Sequence, residues 1–136
     1  MIDPLHRFVE AQAGVYADAL GELRAGHKRT HWMWFVFPQI AGLGHSAMAQ
    51  RYAMASRQEA AAYLAHDTLG PRLRDCTQAV LDVPGRTAHE IFGSPDDVKF
   101  RSCMTLFDAV APSDIFDAAL ARFYAGQRDP ATIERL

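Results

Sequence analysis

The segment from His31 to Tyr52, HWMWFVFPQIAGLGHSAMAQRY, carries the side chains best suited to chemistry: a histidine, two tryptophans, a glutamine and a Gly-Leu-Gly turn in close succession. Trp32 and Trp34 offer flat, polarizable faces on which a base or another planar ring could stack. The amide of Gln39 both donates and accepts, and Pro38 fixes the chain just before it, so Gln39 could read the amide or base edge of a ligand. Gly42 and Gly44 bracket Leu43 and lead to Ser46 at the start of AMAQRYA. This places backbone N–H groups and a helix N-terminus where a phosphate or carboxylate could bind. His31 follows Lys28, Arg29 and Thr30, and could pair with an anion or carry a proton near neutral pH. Further along, Asp97 could hold a ligand hydroxyl, while Lys99 and Ser102, one turn apart, are expected to face one cavity. Together these residues form the expected ligand-binding set, arranged around a polar molecule that is anionic or nucleotide-like.

Each of them also has a plainer use. His31 could order its loop, and with Met33, Phe35, Val36 and Phe37 beside them at least one of the two tryptophans must be core. Gln39 could satisfy loop backbone groups, and the glycines with Ser46 could be a turn followed by a cap. The GxG spacing lacks the strand-glycines-helix context of a dinucleotide fingerprint and the lysine of a P-loop. Asp96 and Asp97 suit the positive end of a helix dipole, or a salt bridge from Arg72 or Arg29. His27 and His31 stand at i,i+4, the spacing of two metal ligands on one helix face. A helix ending at Gly26 leaves His27 outside it, however, and no third ligand is signalled, so no metal site is expected. No Ser-His-Asp order, HExxH, paired catalytic carboxylates or cofactor fingerprint is legible, so neither a reaction nor a cofactor is assigned. Two function classes follow: a small-ligand site, binding or catalytic, or a non-enzymatic interaction module using the same aromatics toward a protein partner or a homodimer. Convergence of the polar residues in one concavity favours the first. His31, Gln39 and Lys99 on separate faces would sink it.

The elements that must position these residues read as helices. Asp3 and Pro4 form an N-cap with proline at the first helical position, and Leu5, Phe8, Gln12, Tyr16, Ala19 and Leu23 fall on one stripe that Gly14 interrupts and Gly26 ends. Ser56 with Glu59, and Thr87 with Glu90, have capping-box spacing. Pro71 stands where a first turn would begin, and Gly93 can end the short HEIF helix. Ser94, Pro95, Asp96 and Asp97 predict an N-cap, a proline at N1 and two acids opening a helix that runs to about Val110. After Pro112 and Ser113, apolar pairs recur every four residues as far as Gly126, and Asp129 with Pro130 starts a last short turn. Trp32 to Phe37 is the only β-like run and has no partner strand. The expectation is an all-α, single compact domain over 1–136, with about six to eight short-to-medium helices in irregular, partly orthogonal packing.

Composition narrows the partners. A chain of 136 residues suits one domain that buries about 65–70 per cent of its unfolded surface. Cys76 and Cys103 form no CxxC pair, so reduced thiols and a cytoplasmic location are expected. MIDPLHRF has neither a basic n-region nor an apolar h-region, so no signal peptide is expected. No run approaches the ~18 apolar residues of a membrane span, and no membrane partner is expected. A formal net charge of −2 with interspersed signs gives no whole-protein attraction for duplex nucleic acid.

The blocks RFVEAQ, HWMWFVFPQ, GLGHS, AYLAH with LGPRL, and IFGSPDDVKFRSCMTLF resemble, nearly end to end, those of the family known as domain of unknown function 1810. The resemblance implies a small bacterial protein with a mainly helical fold, and no activity. The family's SSMTLF-like stretch reads here Ser102, Cys103, Met104, Thr105, Leu106, Phe107. Cys103 therefore stands at a serine-like position and is not promoted to a nucleophile.

Overall fold

Ser102 to Phe107, six consecutive residues of one helix, are all buried, and the rest of the chain is arranged around them. In the computed structural model, which describes residues 3–136, the longer helices are α1 (His6–Gln12), α2 (Tyr16–Arg24), α5 (Arg57–Ala65), α6 (Leu69–Leu81), α8 (Asp96–Val110) and α9 (Ile115–Tyr124). Single turns make up α3 (Met33–Val36), α4 (Ala47–Arg51), α7 (Ala88–Phe92) and α10 (Pro130–Glu134). The described residues contain no strand, only an isolated parallel bridge between Ile40 and Met54. A helical stretch buried on all sides must be central, and α8 accordingly packs against α5, α7, α9 and α10, with α6 bridging α2, α5 and α9. One hydrophobic cluster runs from α1 to α9.

Ten helices among the described residues exceed the six to eight expected, because the first stripe divides at Gly14, with φ +78°, into α1 and α2, and an apolar connection tightens into a single turn that satisfies its own backbone groups. The β-like run Trp32 to Phe37 is that connection: α3 packs on α1, which explains its unbroken apolarity. Local spacing served well elsewhere. Thr87 and Glu90 make a complete capping box. Gly26 ends α2 with its own N–H donating to Leu23 and that of His27 to Glu22, in the pattern of a Schellman motif.

Several starts differ from expectation. The Asp3 carboxylate accepts the Leu5 N–H at 3.0 Å, closing a turn ahead of α1 rather than capping a helix at Pro4. Ser56 accepts the Glu59 N–H, but Glu59 reaches back to the N–H of Ala55 (3.0 Å) and also to Arg7, so the box is displaced by one residue. Helix α6 begins at Leu69, two residues before Pro71, because Nδ1 of His66 accepts the N–H groups of Thr68 (3.1 Å) and Leu69 (3.2 Å). Ser94 does not cap α8. The carbonyls of Gly93 and Pro95 take the N–H groups of Asp97, Val98 and Lys99, leaving the Ser94 hydroxyl no capping role.

Polar side chains inside the core are paired, save Oδ1 of Asp108, which is buried without a hydrogen-bond partner among the described residues. Gln12 donates to the Phe35 carbonyl (2.8 Å) and the Tyr63 hydroxyl (3.1 Å) and accepts from Arg72 (3.3 Å). Cys76 and Cys103 are free and buried in α6 and α8; burial pushes the Cys76 thiol up to about 12 and that of Cys103 well above its ordinary value. No helix of the described residues is long and apolar enough to cross a membrane.

Candidate functional site

The aromatic segment is anchored from its middle. Phe37 is wholly buried, its ring 5.0 Å from that of Phe100 and 5.9 Å from that of Phe92. Beyond Pro38 the chain is locked again, since the Met54 N–H donates to the Gln39 carbonyl and the Ala41 N–H to the Met54 carbonyl, both at 2.8 Å. The main chain of Gln39 is thus fixed, while its half-buried side-chain amide has no hydrogen-bond partner among the described residues. The turn that follows needs glycine for space. A Cβ on Gly42, which has φ +99°, would lie 2.8 Å from Nε of Arg135, and one on Gly44 would lie 2.6 Å from Cβ of Ala49.

Gln39 and Gly44 stand between two adjoining cavities. The first, of about 140 Å³, is walled by Trp34, Ile40, Ala49 and Tyr52 and edged by Gly42. The second, of about 280 Å³, is formed by Leu43, Val98, Lys99, Ser102 and Asp129. Nζ of Lys99 lies 5.7 Å from the centre of the Trp34 ring, joining the two walls by a cation–π contact. Its acidic neighbour is already shared: Asp96 pairs with Lys28 at 2.8 Å and with Lys99 only at 3.7 Å. Ser102 donates to Oδ2 of Asp129 at 2.8 Å and the Thr132 hydroxyl does so at 2.6 Å. Burial opposes ionisation of Asp129, yet these hydroxyls and the N–H groups of Ala131 and Thr132 outweigh it and hold its carboxyl below the usual range.

Trp34, Gln39, Gly42, Gly44, Lys99 and Ser102 therefore meet in one cleft. The remaining expected residues stand elsewhere. Trp32 is core: it is fully buried and its indole N–H donates to Glu22 at 3.1 Å. His31 is exposed and lines neither cavity. Ser46 caps α4 by accepting the Ala49 N–H at 3.1 Å. Asp97 is turned to structure, with its carboxylate 3.2 Å from His89 and its carbonyl accepting the Tyr124 hydroxyl. The expected partners of Asp96 are also corrected. Lys28 takes it, because Arg72 lies over the Tyr16 ring and the backbone of Arg29 is tied to Glu22. With Gly26 ending α2, His27 and His31 share no helix, and no group of three His, Cys, Asp or Glu among the described residues is placed to hold a metal.

Three features were missed. Glu22 organises the entry to the aromatic segment, accepting from the N–H groups of Arg29 (2.6 Å) and Thr30 (2.9 Å), the Thr30 hydroxyl and the Trp32 indole. Burial works against its ionisation, but the Thr30, Arg29 and Trp32 donors prevail and lower its carboxyl from 4.5 to about 2. A lone Glu inside α2 gives no sign of that role. Tyr52 closes the first cavity by returning on Phe35, their rings 5.4 Å apart. Arg135 reaches the turn from the far end of the chain, a tertiary approach that no local spacing announces.

The model of the family described as protein of unknown function (DUF1810) matches residues 3–136. The chain belongs to that family. Among solved structures, it is similar to the conserved hypothetical protein Rv1873 from Mycobacterium tuberculosis, with 55% sequence identity over 98% of each chain and a TM-score of 0.96. No curated protein matches the sequence. For this family member the fold is thus shared with an experimental structure, while the reading of the cleft rests on its own geometry.

Proposed function

We propose that the protein binds a small polar molecule, anionic or nucleotide-like, in the cleft divided by Gln39. The observation that carries this reading is the Gln39 amide itself. Its carbonyl accepts the Met54 N–H while its side chain, between two cavities, makes no hydrogen bond among the described residues. An amide left in this position at no benefit to the fold is suited to a ligand that both accepts and donates. Lys99 supplies positive charge beside it and Trp34 a flat wall. No reaction is assigned, since neither thiol reaches the cleft and Ser102 is committed to Asp129.

The test is a thermal-shift screen against nucleotides, sugar phosphates, amino acids and ring carboxylates, with Gln39→Ala alongside. A ligand at ~100 times its dissociation constant adds about 2.7 kcal/mol of stability, a readily measured shift. A hit lost in Gln39→Ala supports the reading; a blank screen at millimolar ligand overturns it. A blank would favour a second reading, an interaction or homodimer surface, for which the exposed Val98, Ile133 and Leu136 speak, at 58%, 51% and 39% exposure. Light scattering across a concentration series would then decide between monomer and dimer.

A further inference from the structure

We infer that the ligand is a single-ring planar carboxylate, its ring in the Trp34 cavity and its acid group at the mouth between Lys99 and Arg135. This rests on the reading of the cleft as a small-ligand site and deepens it by naming the chemical class and a further binding residue.

Volume sets the ring. An apolar cavity of about 150 Å³ accepts benzene, and the chamber walled by Trp34, Ile40, Ala49 and Tyr52 is about 140 Å³. The chamber opens on one side, so a single ring fills it while a fused pair would project from its mouth, and an alkyl chain would leave the Trp34 and Tyr52 faces poorly used. Charge sets the substituent and its place. In the second chamber the ionised Asp129 repels an anion placed deep beside Ser102. An acid group therefore belongs toward Lys99, which lies within cation–π reach of Trp34 and whose only salt-bridge partner among the described residues, Asp96, is held more closely by Lys28.

Arg135 supplies the second cation. Its guanidinium lies against Gly42, which edges the ring chamber, and Nη1 donates to the carbonyl of Ala131, a residue lining the second chamber, at 2.8 Å. It thus lies beside one lining residue of each chamber. Arg135 forms no ion pair among the described residues, so its remaining N–H groups are available to a carboxylate in a planar, two-point contact. The Gln39 amide, at the junction of the chambers, would donate to the same group.

The probes are benzoate, its neutral isostere benzamide, and acetate, titrated into the ¹⁵N-labelled protein and followed by amide, Gln side-chain and Trp indole resonances. Benzoate is expected to move Gly44, the Gln39 side chain and the Trp34 indole, and to bind at least about tenfold more tightly than benzamide or acetate. Lys99→Met and Arg135→Gln are each expected to weaken benzoate about tenfold and leave benzamide unchanged, with Lys99→Arg and Arg135→Lys restoring most of the affinity. Unchanged spectra elsewhere and an unchanged melting temperature would certify that the variants fold. Equal affinity for benzoate and benzamide, or charge-removing variants without effect, would overturn the acid class while leaving the cleft as a binding site. No response of Gly44, Gln39 and Trp34 to any probe would overturn this inference; a blank in the wider screen is what would overturn the site itself.

Discussion

At the scale of single residues, burial and partner count separate side chains of the same type. Trp32 and Trp34 are two positions apart, yet one is core and the other a cleft wall, and only the core indole finds a protein acceptor, the Glu22 carboxylate, among the described residues. Because Glu22 holds four donors as a carboxylate, Glu22→Gln should cost about 1–2 kcal/mol at neutral pH, a value discounted for its partial exposure. The folded-state value of about 2 lies below the ordinary 4.5, so the stabilisation is complete above about pH 4.5 and is lost as pH falls toward 2. Melting curves of wild type and variant should therefore differ at pH 7 and converge near pH 2. The opposite outcome is expected at two other positions. Gln39→Ala and His31→Ala should each leave stability within about 0.5 kcal/mol of wild type, since neither side chain makes a hydrogen bond or ion pair among the described residues. Only Gln39→Ala should impair ligand binding, as His31 lies outside the cleft. Residue type alone marked Trp34, Gln39 and Lys99 as candidates. It could not distinguish them from His31 and Asp97, because that choice is made by which way the folded chain turns.

Among the elements, what was legible is what is local. The Thr87–Glu90 box, the Ser46 cap and the end of α2 at Gly26 depend on neighbours within a few positions, and spacing alone reports them. The start of α6 does not, because an imidazole rather than a hydroxyl receives its first N–H groups. The same junction contains the tightest glycine site of the described residues: a Cβ on Gly70 would stand 2.0 Å from the Leu64 carbonyl oxygen, a backbone atom that cannot yield. Gly70→Ala must therefore separate α5 from α6, and is expected to cost about 3 kcal/mol or more in a denaturant titration. A loss below about 1 kcal/mol would show that the junction relaxes. Helix count was underestimated because α3 carries too few residues to show a period, and because the buried stripe continues across the break between α1 and α2.

For the molecule as a whole, the all-α class was readable from the absence of alternation, whereas the placement of α8 at the centre is settled by what packs around it. The burial of its middle turns makes Cys103 a deep interior group, and Cys76 on α6 is equally inaccessible. Both thiols remain protonated at neutral pH, so a thiol-specific reagent finds no reactive sulfur while the fold is closed. The two should label together, and only as fast as the entire core opens; early labelling of one alone would reveal that α6 or α8 detaches first. The pair of cysteines thus makes the interior a clock. Reagent uptake, followed over hours without denaturant, would time the rare excursions of the native protein out of its folded state.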